Sequence, residues 1–410
     1  MSTIVNVAGI VGHVTVTVEG PTSEPALRLV LTPEQEMLRD SVRGLASKYG
    51  PDYFQQVVRD RGSATELWEA MGSRGFLGVH LPDDYGGGGC GLTELALVVE
   101  ETAIAGCPML AALYSPGVIG TILSRHATHD QKERWLRGVA SGCLRASFAI
   151  TEPDAGSNAH RISTVARKDS RKYILSGQKY YTSGMEDAAI VLVVARTSTD
   201  EIAGRGRLSL FVIDADAPGV TCQPIPTALD MPEQQWTLFF DDVEVSPDRL
   251  IGPEDDGLRV AFAGLNTERI LTSSICTGIG RYALGKAVAY ARERSVWDTP
   301  IGAHQAIAHP LAESRIELEG ARLMTQRACA LHDLGGDAGE ASNMAKLLGA
   351  DAGTRALDRA IQTHGGNGVA LEYQLANYWF IVRTLKIGPV SREMILNFVA
   401  ERTLGLPRSY

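Results

Sequence analysis

Phe148-Ala149-Ile150-Thr151-Glu152-Pro153-Asp154-Ala155-Gly156-Ser157 begins as an apolar, β-prone run and breaks abruptly at Glu152. Pro153 has no backbone donor and a fixed φ, and Gly156 permits positive φ, so a strand here is expected to end in a tight loop. Such a loop presents backbone N–H groups and the hydroxyls of Thr151 and Ser157 to whatever lies above it. An ordinary strand-to-turn exit has the same signature, so the segment needs its context.

Upstream the chain reads as helix. Thr32-Pro33-Glu34-Gln35 resembles an N-cap with proline at the first helical position, followed by Met37, Leu38, Val42 and Leu45 at helical spacing. Helical patterns continue to about residue 145, interrupted by Leu81-Pro82-Asp83-Asp84-Tyr85 and four glycines. That run lacks the strand-before, helix-after context of a dinucleotide fingerprint and reads as a wide connecting loop. Downstream, 189–195, 208–213 and 237–240 are short β-prone runs separated by turn residues. From Asp256 the pattern is helical almost to the end. The order is helical, then β, then helical, which argues against alternating β-α-β units and against nicotinamide as the principal cofactor. Residues 1–30 stand apart: His13 to Glu19 alternates with strand period, no basic targeting pattern precedes Arg28, and the segment reads as a non-catalytic extension or a misassigned start.

The 410 residues carry a net charge of −9, which leaves no basic stripe to meet nucleic-acid phosphate. Six scattered cysteines form no C-x-x-C pair, as expected of reduced thiols in a cytoplasmic compartment with no metal site. No apolar run is long enough to span a membrane.

Beyond the opening stretch lies Gly177-Gln178-Lys179-Tyr180-Tyr181-Thr182-Ser183-Gly184. The two segments together resemble the flavin-binding signature of the acyl-CoA dehydrogenase family, T-E-P-x-A-G-S and G-x-K-x-W-I-T-N-G. Tyr181 stands for the usual tryptophan, Ser183 for threonine and Gly184 for asparagine. The resemblance runs from about residue 31 to the C-terminus. Arg294 to Trp297 sit where the family has R-x-x-F, Gln305 follows, and Gln362-Thr363-His364-Gly365-Gly366-Asn367-Gly368 is similar to Q-x-x-G-G-x-G. It implies a multi-part α+β fold: an N-terminal helical domain (31–145), a β-domain (146–252) and a C-terminal helical bundle (253–410). It also implies FAD, held by Phe148, Ile150, Thr151, Gly156, Ser157, Tyr181, Thr182 and Ser183. Arg294, Trp297, Gln305, Gln362, Gly365, Gly366 and Ser391 would reach the FAD of a neighbouring subunit in a homodimer or homotetramer. A guanidinium fork suits phosphate oxygens, and glycines admit close backbone approach. Ser157, Asn266 and Arg269 would face the substrate.

The reaction implied is α,β-dehydrogenation of an acyl thioester, carried by coenzyme A or a carrier protein, with electrons leaving to an electron-transferring flavoprotein. An oxygen-using oxidase or monooxygenase on the same scaffold, or a silent flavoprotein subunit, is the alternative. The family's usual base is a glutamate in a C-terminal G-E-G-T segment, but the matching run here is Gly388-Pro389-Val390-Ser391. Proline is neither a base nor an N–H donor. Isovaleryl-CoA and long-chain acyl-CoA dehydrogenases carry the base on the central helix instead, just before an arginine, where this chain has Glu268-Arg269. On a 3.6-residue helix Glu268 shares its face with Ala261, Leu265, Leu271, Ile275 and Tyr282, so its carboxyl is expected to be desolvated and its pKa raised. Glu372 and Glu393 are the weaker candidates.

Overall fold

The computed structural model describes residues 30–200 and 204–408, so the alternation at 13–19 lies outside the described residues. The first helix, Pro33–Ala46, opens as its sequence demands. Thr32 Oγ1 accepts the Gln35 N–H at 3.3 Å and Gln35 Oε1 accepts the Thr32 N–H at 3.0 Å, a reciprocal capping box. Val42 and Leu45 are buried, but Met37, read from spacing as part of the apolar face, is exposed. The Leu81–Gly89 connection holds a single 3₁₀ turn, Asp83–Tyr85. Further on, Leu113–Gly120 is wound wider than an α-helix around Pro116, which cannot complete an α ladder.

Among the described residues the β-domain is one sheet of eight strands. They are β1 (Ala146–Ala149), β2 (Val165–Asp169), β3 (Lys172–Ser183), β4 (Ile190–Thr199), β5 (Gly206–Asp214), β6 (Val220–Ile225), β7 (Gln235–Val245) and β8 (Leu250–Ile251). The order is β6-β7-β3-β2-β4-β5-β8, with β1 added in parallel along β4. β4 is apolar from Ile190 to Ala195 and β5 from Leu210 to Ile213, and strand period sends alternate side chains to opposite faces. Ile190, Leu192 and Val194 face the large core shared with the helices, while Val191, Val193 and Ala195 face a smaller core that belongs to the sheet alone. Both faces of the strand are covered, so both sets are buried.

Three long helices make the C-terminal bundle: Gly257–Glu293, Gln305–Asp333 and Gly339–His364. The first, 37 residues long, is central, packing on Leu92–Ile104 on one side and on Gly339–His364 on the other. Its approach to the latter is close enough to need glycine, since a Cβ at Gly353 would lie 2.3 Å from the Cys276 carbonyl oxygen. The central helix therefore passes between the N-terminal helices and the bundle, and it carries Glu268 into that junction.

Candidate flavin and substrate site

The loop after β1 is closed by a mutual pair of backbone hydrogen bonds between Glu152 and Ala155, both 3.1 Å, with Pro153 and Asp154 at the turn. The turn is as tight as expected, but Gly156 does not contribute through its φ, which is not positive. A Cβ on Gly156 would meet nothing within 4 Å, and Gly156 and Ser157 are both exposed. This chain's own atoms thus leave the space above the loop open for a partner molecule.

Glu152 and Lys179 explain why the two motifs occur together. Lys179 Nζ donates to Glu152 Oε1 at 2.8 Å and to the Ile150 carbonyl at 3.0 Å, and both side chains are almost fully buried. Glu152 also accepts the Ser163 N–H (2.6 Å), the Ser163 hydroxyl (2.7 Å) and the Thr164 N–H (2.9 Å). Burial pushes the Glu152 carboxyl up, but Lys179 and these donors outweigh it and hold the group down at about 2. The Tyr180 N–H bonds the Thr151 carbonyl at 2.8 Å, and the Ser147 hydroxyl bonds the Ser183 carbonyl at 2.8 Å. Phe148, Ile150 and Thr151 are thereby set beside Tyr181 and Ser183.

Tyr181 is aimed by a break in the β3–β7 register between Lys179 and Thr182. Its φ of +55° is unfavourable for a bulky residue, and its ring is 54% exposed. A strained aromatic turned to solvent beside a loop of free N–H groups suits a flat, apolar-faced ligand. Thr182 behaves differently from its neighbours: its side chain is buried and Oγ1 has no hydrogen-bond partner, so it faces inward. Ser183 Oγ donates to Gln235 Oε1 at 3.0 Å. Gly184 has φ +74°, and a Cβ there would fall 1.8 Å from the Tyr114 hydroxyl. Tyr114 thus accounts for glycine where the family pattern has asparagine. Beside this contact Glu233 accepts the Ala111 N–H at 2.8 Å, leaves Oε2 unpaired, and is pushed by burial up to about 7. Nothing in sequence spacing pointed to Glu233 or Tyr114.

On the central helix Ala261, Leu271, Ile275 and Tyr282 are buried and Leu265 packs against the same core. Glu268 is partly buried among them and makes no hydrogen bond or ion pair among the described residues. Loss of hydration pushes its carboxyl up to about 7, with Arg269 and Lys346 opposing the rise through their charge. Arg269 turns away, donating to Asn266 Oδ1 at 2.8 Å and lying over the Phe262 ring at 5.7 Å. Glu372 and Glu393 are exposed. Pro389 lies in the loop between helices Trp379–Ile387 and Arg392–Phe398, and the next N–H, that of Val390, finds no acceptor among the described residues. Ser391 caps the second of these helices, its Oγ accepting the Met394 N–H at 3.3 Å.

The remaining sequence candidates lie at the ends of the three long helices and in the hairpin between the first two. Trp297 and Asp298 form the two-residue tip of a hairpin, both at positive φ, with Trp297 87% exposed. Arg294, Gln305 and Gln362 are exposed, and Gly365 (φ +60°) and Gly366 could each accept a Cβ without touching this chain. Among the described residues, no hydrogen bond or ring contact joins this group to the Phe148–Gly184 surface of the same chain. Two cavities, of about 300 and about 570 Å³, are lined by other residues, one charged around Glu100 and Arg281, one apolar around Leu284 and Leu311.

A helical domain, a sheet carrying an open turn beside an outward-facing ring, and a bundle bearing an unpaired carboxyl define a class of enzyme. Models of the acyl-CoA dehydrogenase N-terminal, middle and C-terminal domains match residues 32–143, 147–243 and 255–404. The chain belongs to the acyl-CoA dehydrogenase family and is an enzyme of that class, an oxidoreductase acting on CH–CH groups. It is 50% identical over 379 residues to acyl-CoA dehydrogenase FadE12 of Mycobacterium tuberculosis strain H37Rv, covering 92% of this chain and 97% of that one. Butyryl-CoA dehydrogenase from Megasphaera elsdenii superposes with a TM-score of 0.86 at 25% identity, covering 92% and 99% of the two chains. A structure of PigA with FAD and proline matches with a TM-score of 0.87 at 25% identity, covering 92% and 99%.

Proposed function

We propose that this enzyme desaturates an acyl thioester between Cα and Cβ, using FAD and Glu268 as the general base. The observation that carries the proposal is the state of Glu268: partly buried, unpaired and raised to about 7, on the helix that passes between the two helical regions. A base for a weak carbon acid needs raised proton affinity and no competing partner, and Glu268 meets both requirements. Pro389 removes the family's other base position, which favours the arrangement of the isovaleryl-CoA and long-chain types.

The residues fit FAD. Phe148, Ile150 and Thr151 would edge its ring system, Tyr181 would cover one face, and the open turn at Gly156 and Ser157 would admit the polar end of the substrate. Bound FAD supplies an acceptor for the Cβ hydride. Glu268 takes the α-proton, so the thioester loses one proton and one hydride and leaves as the trans-2-enoyl thioester. The Val390 N–H, lacking an acceptor of its own, replaces the donor lost at Pro389 and polarises the thioester carbonyl. Asn266 and Arg269 hold the pocket wall.

Trp297, strained and exposed on its hairpin tip, completes the site of a second copy in a homodimer or homotetramer, together with Arg294, Gln305, Gln362 and the Gly365-Gly366 turn. Electrons leave to an electron-transferring flavoprotein, and the enzyme works in the cytoplasm. Among the described residues no helix is long and apolar enough to cross a membrane.

Anaerobic titration of the purified protein with a panel of acyl-CoA and carrier-bound acyl thioesters tests the reading. Bleaching of the oxidised flavin by at least one member, slow to reverse in air, is expected. Fast reoxidation by oxygen would assign an oxidase instead, and no bleaching by any member would contradict the proposal.

A further inference from the structure

Lys346 lies on Gly339–His364, on the face that packs against the central helix, and its side chain is 1% exposed. A buried ammonium is costly unless its N–H groups and its charge are both answered. Two of its N–H groups are: Nζ donates to the Lys386 carbonyl at 2.9 Å and the Val390 carbonyl at 2.7 Å. These two carbonyls bracket Gly388 and Pro389, so one side chain fixes both ends of the loop that stands in the family's base position. Among the described residues no carboxylate pairs directly with it.

The charge has few candidates to answer it. On the central helix Glu268 and Cys276 lie within electrostatic reach; Asp351 does so on its own helix, and Lys386 on the helix leading into the loop. The Cys276 thiol is pushed by burial up to about 12 and is neutral. Asp351 is already paired with Lys386 at 2.9 Å and with Arg392, with Arg355 at 3.9 Å. Lys386 is itself a cation. Glu268 is the remaining anion: it forms no ion pair among the described residues, and its neighbour Arg269, whose charge acts on it more strongly than that of Lys346, is hydrogen-bonded to Asn266 instead.

Resting on the assignment of Glu268 as base, we propose that Lys346 is a positioning residue for catalysis. Its ammonium clamps the Lys386–Val390 loop beside the active carboxylate and, through its charge, holds Glu268 ionised for proton abstraction. Burial lowers the lysine itself to about 8, which leaves it charged at neutral pH. The clamp also fixes the residue whose N–H is free to meet the thioester carbonyl. One side chain thus serves both the base and the polarising donor.

Lys346→Gln retains N–H donors for the two carbonyls and removes the charge; Lys346→Arg retains the charge. The pH dependence of anaerobic flavin reduction separates the two roles. Without the charge Glu268 binds its proton more tightly, so the acid limb for Lys346→Gln is expected to move up by roughly half to one pH unit. Lys346→Arg is expected to keep the native limb even where loop packing lowers the rate. A second measurement needs no variant of Lys346: in lysine- and glutamate-labelled native protein, the Lys346 amine resonance should follow the Glu268 carboxyl titration. That coupling should vanish in Glu268→Gln, which also assigns the carboxyl signal. An unmoved acid limb in Lys346→Gln, or a Lys346 resonance blind to Glu268, overturns the inference. If Glu268→Gln is inactive while either result is seen, the base assignment survives and only the role of Lys346 falls.

Discussion

Lys179→Met is the sharpest test of how the flavin-binding surface is built. The substitution keeps the aliphatic stem that fills the β-domain and removes the ammonium from Glu152 and the Ile150 carbonyl. Holding Glu152 down from 4.5 to about 2 corresponds to about 3 kcal/mol at about 1.36 kcal/mol per pH unit. Breaking one side of a buried pair costs about 3–5 kcal/mol in general, but burial drives the Lys179 ammonium down to about 8, and removing that cost offsets part of the loss. Part of the Glu152 stabilisation comes from Ser163 and Thr164 and survives the change, which places the expected loss near the lower end. The sign with pH follows from the depressed carboxyl: its contribution is full above about 4.5 and is lost as pH falls toward about 2. Lys179→Met should narrow that acid window. Urea unfolding of the variant at pH 7, alongside its FAD content, measures both consequences, since the turn that carries Thr151 hangs on this pair. A loss below about 0.5 kcal/mol with full FAD retention would refute the reasoning.

Three further outcomes are expected. Tyr181→Gly should relieve the +55° backbone and leave thermal stability equal or higher while weakening FAD binding, read by flavin release on dilution. Arg294→Ala removes a charge-assisted contact with phosphate, about 1.5–3 kcal/mol, and should lower FAD retention and favour smaller oligomers in light scattering. Gly184→Asn should destabilise the fold through the Tyr114 hydroxyl, whereas in a Tyr114→Ala background the same change should lower the melting temperature far less.

Much of this was legible from pattern because it rests on local rules. The Thr32 capping box and the β4 run are short-range consequences of residue type, and both are present. The Glu268 face was legible because helical period alone brings Ala261, Leu271 and Ile275 beside it. What escaped depends on contacts distant in sequence. Met37 has helical spacing but is exposed, since none of the described residues packs over it. Gly156 looked like a positive-φ turn residue, but Pro153 and Asp154 make the turn without it. Tyr114 and Gly184 are 70 residues apart, and only their meeting explains the glycine. Lys346 left one faint signal, a lysine within a face of small residues that includes Ala345, Gly349 and Ala350.

The central claim is that Glu268 is the base, and the stopped-flow rate of anaerobic flavin reduction in Glu268→Gln tests it most directly. The change preserves shape and removes proton affinity, and loss of a general base typically slows reaction by about 10²–10⁴. The native rate should fall below about pH 7 as the carboxyl takes up its proton. Glu268→Gln should hold FAD, bind acyl thioester and lose nearly all reduction, while the same change at Glu372 or Glu393 costs far less. Bleaching of Glu268→Gln at the native rate, with a substrate that reduces the native enzyme, would contradict the account.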